Sequence, residues 1–178
     1  MIIFKGNSRI AYRDPVCYWY DGVYYLFFSY SEKDNGYMYN SVAVSQSTDL
    51  KSWSESRLLT PKDRLLNYCS PGNVIEHDGE FVLCFTSYPM PVPFEECWIA
   101  DDTARLFTMR TKDFEHFTEP RLLNPKNDMP QETLGRMIDP YILPLEDGYG
   151  LFFKQNGVSF FLVKGPGALG VRRNSRRR

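Results

Sequence analysis

The chain has 178 residues, about the length of one ordinary domain. Its 21 Lys+Arg nearly balance 22 Asp+Glu, but five arginines (Arg172, Arg173, Arg176, Arg177, Arg178) crowd the last seven residues, so the body is mildly acidic and argues against nucleic acid as a partner. Hydrophobic residues make up 43% and aromatics 16%, enough for a packed core, and no run approaches the roughly 18 apolar residues of a membrane-spanning helix.

The opening Met1-Ile2-Ile3-Phe4-Lys5-Gly6 has none of the features of an export signal, which points to a cytoplasmic chain. A first strand is expected over 14–20, where the sequence runs into Asp21-Gly22, a hairpin turn signal. A second follows over 23–30, then a loop over 31–40 and a third strand carrying Ser41-Val42-Ala43-Val44-Ser45. Ser47-Thr48-Asp49-Leu50-Lys51-Ser52-Trp53 reads as a turn, with a short fourth strand near 56–60. The cycle then returns. Strands are expected over 71–77 and 80–87 around Asp78-Gly79, through Arg105-Leu106-Phe107-Thr108-Met109 after a loop at 88–103, and near 119–123. The turn Thr111-Lys112-Asp113-Phe114-Glu115-His116-Phe117 lies 64 residues after its counterpart, as does Arg121-Leu122-Leu123-Asn124-Pro125-Lys126 after Arg57-Leu58-Leu59-Thr60-Pro61-Lys62. A third cycle starts over 139–145 and 148–154 around Asp147-Gly148.

No helical periodicity of useful length interrupts this pattern, so the chain is read as all-β. A four-stranded unit of roughly 60 residues in tandem points to β-propeller blades. A β-sandwich also uses short strands, but it does not explain why turn, strand and aromatic signals return together at one long period. Blade one is expected over about 10–60, blade two over about 66–124 and an incomplete blade three over about 136–163, leaving 164–178 as a basic tail. Because propellers use about 4 to 8 blades, the chain reads as truncated or out of frame at its end. A natural short chain completing its ring by self-association through open sheet edges is the alternative. Cys17, Cys69, Cys84 and Cys97 show no metal-ligand spacing, and His77 and His116 read as solvated turn residues, so no metal and no cofactor is expected.

Each first strand begins at a pre-proline residue: Arg13-Asp14-Pro15, Cys69-Ser70-Pro71 and Ile138-Asp139-Pro140. Proline favours an extended conformation in the residue before it. In a propeller these strands line the axis, so Asp14 and Asp139 are expected to share a hollow at one end, with the inter-blade connections 61–70 and 124–138 beside them. Asp21, Asp78, Asp147, Asp49 and Asp113 are read as turn residues, and Trp19, Tyr25, Phe27 and Trp53 as inter-blade core.

These segments, with Tyr20-Asp21-Gly22-Val23-Tyr24-Tyr25-Leu26-Phe27-Phe28-Ser29 and the Ser47–Trp53 turn, resemble glycoside hydrolase family 43 and its five-bladed arabinanase, xylosidase and fructosidase relatives over about residues 10–163. The resemblance implies cleavage of glycosidic bonds in plant-type oligo- or polysaccharides. It implies Asp14 as the general base and Asp139 as the carboxylate that orients the acid and tunes its pKa. The acid itself would be a Glu one repeat further on, beyond this chain. A base and acid roughly 6.5–9.5 Å apart invert the anomeric centre, and about 5–5.5 Å retains it. Arg13 and Arg136 flank the Asp-Pro pairs and offer sugar or carboxylate contacts, while Tyr68, Trp98 and Tyr141 are placed either to stack on a sugar or to pack. Tyr68-Cys69-Ser70-Pro71 departs from the Trp-Ala-Pro often found at the second blade, and Glu96-Cys97 looks like the fructosidases' acid pair but precedes Asp139 rather than following it. A non-catalytic carbohydrate-binding propeller and a glycoside phosphorylase are the competing functions, the latter needing a basic cluster beside the carboxylates.

Overall fold

A computed structural model describes residues 2–96, 103–123, 125, 135–146, 148–156 and 159–164. The described chain is all strand and loop, in three antiparallel sheets that follow one another in sequence. The first holds β1 (Ile10–Tyr20), β2 (Val23–Asp34), β3 (Tyr37–Ser47) and β4 (Arg57–Leu58) in that order. In the second, β7 (Glu80–Ser87) pairs with β8 (Leu106–Thr111), which pairs with β9 (Arg121–Leu123). Two short strands, β5 (Tyr68–Cys69) and β6 (Val74–His77), share the other edge of β7 as an interrupted first strand. The third sheet is β10 (Met137–Leu145), β11 (Gly148–Gln155) and β12 (Ser159–Lys164). This is a β-propeller of the five-bladed type with about three of its blades.

The Asp-Gly turns work as their chemistry demands: Asp21 and Gly22 have φ of 47° and 80°, Asp78 and Gly79 of 51° and 73°, the left-handed pair that a tight hairpin needs. One expectation fails here. Residues 31–40 form no loop; β2 and β3 continue to a two-residue turn at Asn35-Gly36. Asn-Gly is itself a hairpin signal, and the polar strand ends beside it are held by Lys62, which pairs with Glu32 at 3.1 Å and Asp34 at 3.0 Å.

Two cores join the sheets. Between the first and second, Phe114 sits at the centre of an aromatic cluster, stacked on Tyr25 at 4.1 Å and tilted on Phe81 at 4.5 Å. Such pairs add about 0.5–1.5 kcal/mol each beyond their burial. Phe114 gets there because its turn is locked. Asp113 Oδ1 accepts the N–H groups of Glu115 and His116, Thr111 Oγ1 accepts that of Phe114, and Phe114 itself takes φ 60°. Ser47, Asp49 and Leu50 repeat these bonds in the first sheet, so both aspartates are structural caps. Between the second and third sheets, Ile75, Val82, Cys84 and Leu106 meet Met137, Ile142, Leu151 and Phe153.

Two side-chain assignments need correction. Trp19 is 60% exposed: strand alternation turns Val16 and Tyr18 toward the second sheet and Trp19 the other way. His77 is a strand-end residue rather than a solvated turn, its Nδ1 2.9 Å from the Tyr149 hydroxyl across the sheet boundary. Tyr25 and Phe27 are core as expected, and Trp53 is half-buried. Trp98, Cys97, Asp147 and the tail from 165 lie outside the described residues.

Candidate functional site

The three pre-proline residues occupy one repeated position. The β1–β2 pairing breaks between Arg13 and Val16, and the β10–β11 pairing between Ile138 and Tyr141, so each Asp-Pro pair bulges out of its ladder. In the second sheet the same break is wide enough to split the strand into β5 and β6. Asp14, Ser70 and Asp139 have φ of 54°, 47° and 56°. This overturns the extended conformation expected before proline. The bulge overrides the local preference, and three residues in a sparsely populated region at equivalent places is the kind of strain that collects at functional sites.

The opposing strand supplies the support. Arg13, Cys69 and Ile138 face Ser29, Thr86 and Lys154 respectively. The Ser29 hydroxyl donates to Asp14 Oδ2 at 2.7 Å and accepts the Ser70 N–H at 2.7 Å. The Ser70 hydroxyl also donates to Asp14 Oδ2, at 3.2 Å. Thr86 Oγ1 accepts the Asp139 N–H at 3.2 Å. Each hydroxyl thus ties its own sheet to the pre-proline residue of the next. In the third sheet the position belongs to Lys154, whose ammonium lies 3.6 Å from Asp139 Oδ2. Gly72 brings the second and third sheets together, since a Cβ there would meet the Pro140 carbonyl oxygen.

Asp14 and Asp139 therefore flank Cys69-Ser70 from either side. Burial pushes the Cys69 thiol up to about 12; its hydrogen bond with Ser70 and, less, the charge of Arg13 oppose the rise, and both carboxylates add to it. Both carboxylates are open to solvent: Asp139's side chain is half exposed, and Asp14 is exposed.

The other expected site residues separate. The Arg13 guanidinium donates to Ser31 Oγ at 3.0 Å and Asn40 Oδ1 at 3.3 Å, neutral partners rather than a carboxylate. Arg136 stands just before β10, its backbone N–H bonded to Asn156 Oδ1 at 3.1 Å. Tyr68 is 4% exposed, with its ring edge-on to Phe85 and Phe107, so of its two open roles it takes the packing one. Tyr141 is 51% exposed, but on the outer face of the third sheet beside its register partner Phe152. Ser29, Thr86 and Lys154 do not stand out in the sequence as site residues. Their signal was the repeat itself: Ser29 and Thr86 both stand eight residues after the Asp of a hairpin turn, and Lys154 seven. Among the described residues no cluster of His, Cys, Asp and Glu is arranged to hold a metal ion.

No protein-family pattern and no curated sequence matches the chain. Solved structures do. A glycosyl hydrolase from Bacteroides ovatus superimposes with a TM-score of 0.60 at 14% identity, over 90% of this chain and 50% of the other. A GH43_1 enzyme from Xanthomonas citri, solved with xylotriose, gives 0.54 at 15% identity over 83% and 40%. An α-L-arabinanase from Cellvibrio cellulosa, solved with arabinohexaose, gives 0.52 at 17% identity over 82% and 44%. The chain has the fold of these five-bladed glycoside hydrolases and spans half or less of each of these structures.

Proposed function

We propose that this chain carries the water-activating side of a glycoside-hydrolysing centre, acting on arabinan- or xylan-class sugars, with Asp14 as general base and Asp139 as the orienting carboxylate. The observation that carries the reading is the pair of solvent-open carboxylates at one strained position of two propeller sheets, bracketing Ser70. Both hydroxyl bonds to Asp14 go to Oδ2. They fix the carboxylate and leave Oδ1 to take a proton from water as that water attacks the anomeric carbon. The glycosidic oxygen must gain a proton as it leaves, and the resemblance assigns that donor to a Glu of a fourth blade. Base or acid each typically contributes about 10²–10⁴-fold.

An activated aryl glycoside separates the two roles, because its phenolate leaves without a proton. This chain is expected to release the phenol from an aryl arabinoside or xyloside, to lose that activity in Asp14→Asn, and to act far more slowly on the unactivated oligosaccharide. Equal activity of wild type and Asp14→Asn would defeat the proposal. Sugar binding unchanged in Asp14→Asn/Asp139→Asn, with no turnover by wild type, would favour a non-catalytic binder. Lys154 beside Asp139, together with Arg13, also gives the phosphorylase reading cationic groups. A protein of similar fold belongs to the GH130 mannoside phosphorylases, a family that contains β-1,2-mannoside hydrolases. Turnover that depends on inorganic phosphate would select it.

A further inference from the structure

Two hydroxyls on one face of β2 hold opposite charges. Ser29 and Ser31 are two residues apart, so strand alternation turns both the same way as Phe27, toward the second sheet, about 7 Å from each other. Ser29 holds the Asp14 carboxylate at 2.7 Å. Ser31 and Asn40 hold the Arg13 guanidinium, whose Nη2 donates to them at 3.0 and 3.3 Å. The floor under this cation is built rather than incidental. The Ser31 hydroxyl donates to Asn40 Oδ1 at 2.6 Å. Asn67 Oδ1 accepts the Asn40 N–H at 2.6 Å, and Asn67 Nδ2 donates to the Tyr88 carbonyl at 3.0 Å. Ser31, Asn40 and Asn67 are all buried, in the seam that the first and second sheets close between themselves. Each acceptor in that floor is neutral, and among the described residues no carboxylate pairs with Arg13.

We propose that Arg13 binds the carboxylate of a uronic-acid unit on a xylan-class chain, so that the substrate is an acidic glycan rather than a neutral one. The inference rests on the sugar-binding reading of the Asp14 hollow and narrows its substrate class. Neutral acceptors fix the guanidinium without cancelling its charge, and a pre-positioned planar fork loses little freedom on binding. A carboxylate then gains charge-assisted hydrogen bonds, roughly twice as strong as those a sugar hydroxyl would make. Asp14 repels the same carboxylate, but from about 7 Å, and the contact with Arg13 outweighs it because Coulomb energy falls with distance. Asp139 lies beside its own cation, Lys154, at 3.6 Å. The spacing of Ser29 and Ser31 lets one ligand touch Arg13 and still leave Asp14 Oδ1 to its water.

Titration calorimetry with a glucuronic-acid-substituted xylotriose, and with the same oligosaccharide after its carboxyl is reduced to the alcohol, tests it. Wild type is expected to bind the acidic ligand at least about tenfold more tightly, the worth of one hydrogen bond to a charged group. The ratio is expected to fall to about one in Arg13→Gln. It should fall likewise in Asn40→Asp, which keeps the guanidinium in place but gives it a carboxylate of its own. A ratio near one in wild type, a ratio that survives in either variant, or tighter binding of the neutral ligand when inorganic phosphate is added would each overturn the proposal. Binding of the neutral ligand separates the two readings. If it binds as well as the acidic one, only the uronate assignment fails; if neither ligand binds, the sugar-binding hollow fails with it.

Discussion

Replacing Gly72 by alanine probes the close approach of the second and third sheets beside Asp139. A Cβ at this position would coincide with the Pro140 carbonyl oxygen and lie 2.8 Å from its carbon and 3.0 Å from Cys84 Sγ. The first two atoms are backbone, so no rotamer relieves the clash, and Gly72 cannot retreat while its N–H is bonded to the Cys84 carbonyl at 2.8 Å. The second and third sheets must part, loosening the core around Val82, Cys84, Ile142 and Leu151. Overpacking typically costs about 1–3 kcal/mol, and a rigid backbone partner puts this case near the top, roughly 3 kcal/mol. At roughly 2–4 °C per kcal/mol for a chain of this size, the melting temperature should fall by roughly 6–12 °C. Gly79→Ala is the control. Its added Cβ meets nothing within 4 Å, so only the left-handed backbone, φ +73°, opposes it, at about 1–2 kcal/mol. Urea and thermal midpoints of both variants decide the matter. If Gly72→Ala is no costlier than Gly79→Ala, the sheets do not meet at Pro140 and the reasoning fails.

Ser29→Ala and Thr86→Ala each strip the acceptor from a pre-proline N–H and are expected to cost about 1–3 kcal/mol, read as urea midpoints, with Ser29→Ala also removing the shorter of the two hydroxyl bonds to Asp14. His116 has its pKa raised by its hydrogen bond to Asp113. A raised folded-state value means that its stabilisation is complete below the unfolded value of about 6.5 and is lost as pH rises through the folded one. His116→Ala should therefore flatten the fall in stability above that pH; an unchanged slope would refute the pairing. Asp113 is held below the ordinary range by the His116 and Glu115 N–H groups and the His116 ring, so its contribution is present above about 3.9 and is lost as pH falls further. Burial pushes the Cys69 and Cys84 thiols up to about 12 and about 11, so in the folded chain both should resist maleimide while exposed Cys17 reacts, as peptide mass mapping would show.

The propeller was legible because hairpin turns advertise themselves: Asp21-Gly22 and Asp78-Gly79 mark the period, and the aromatic runs after them mark the second strands; in the third sheet Gly148 already pairs with Leu145 and opens the strand instead of turning the chain. What escaped depends on parity and on contacts between sheets. Trp19 has a core residue's composition but the wrong strand phase, one residue from Tyr18. Tyr68, three residues before Pro71, and Tyr141, directly after Pro140, both offer an aromatic near a bulge, yet one is enclosed by Phe85 and Phe107 and the other opens to solvent. Asp14 and Asp139 draw attention in the sequence as carboxylates before proline. Ser29 and Thr86 do not, because a hydroxyl becomes informative only when its partner comes from a neighbouring sheet. The left-handed backbone at Asp14 and Asp139 could not be read from Asp-Pro, whose local preference is the opposite.

Amide chemical-shift mapping with xylotriose and an arabino-oligosaccharide reads the shared hollow residue by residue. Asp14, Ser70 and Asp139 are expected to move together, along with Ser29 and Lys154, and the response to vanish in Asp14→Asn/Asp139→Asn. Shifts confined to the opposite end, around Asp49 and Asp113, or shifts at one aspartate without the other, would contradict a shared sugar-facing hollow.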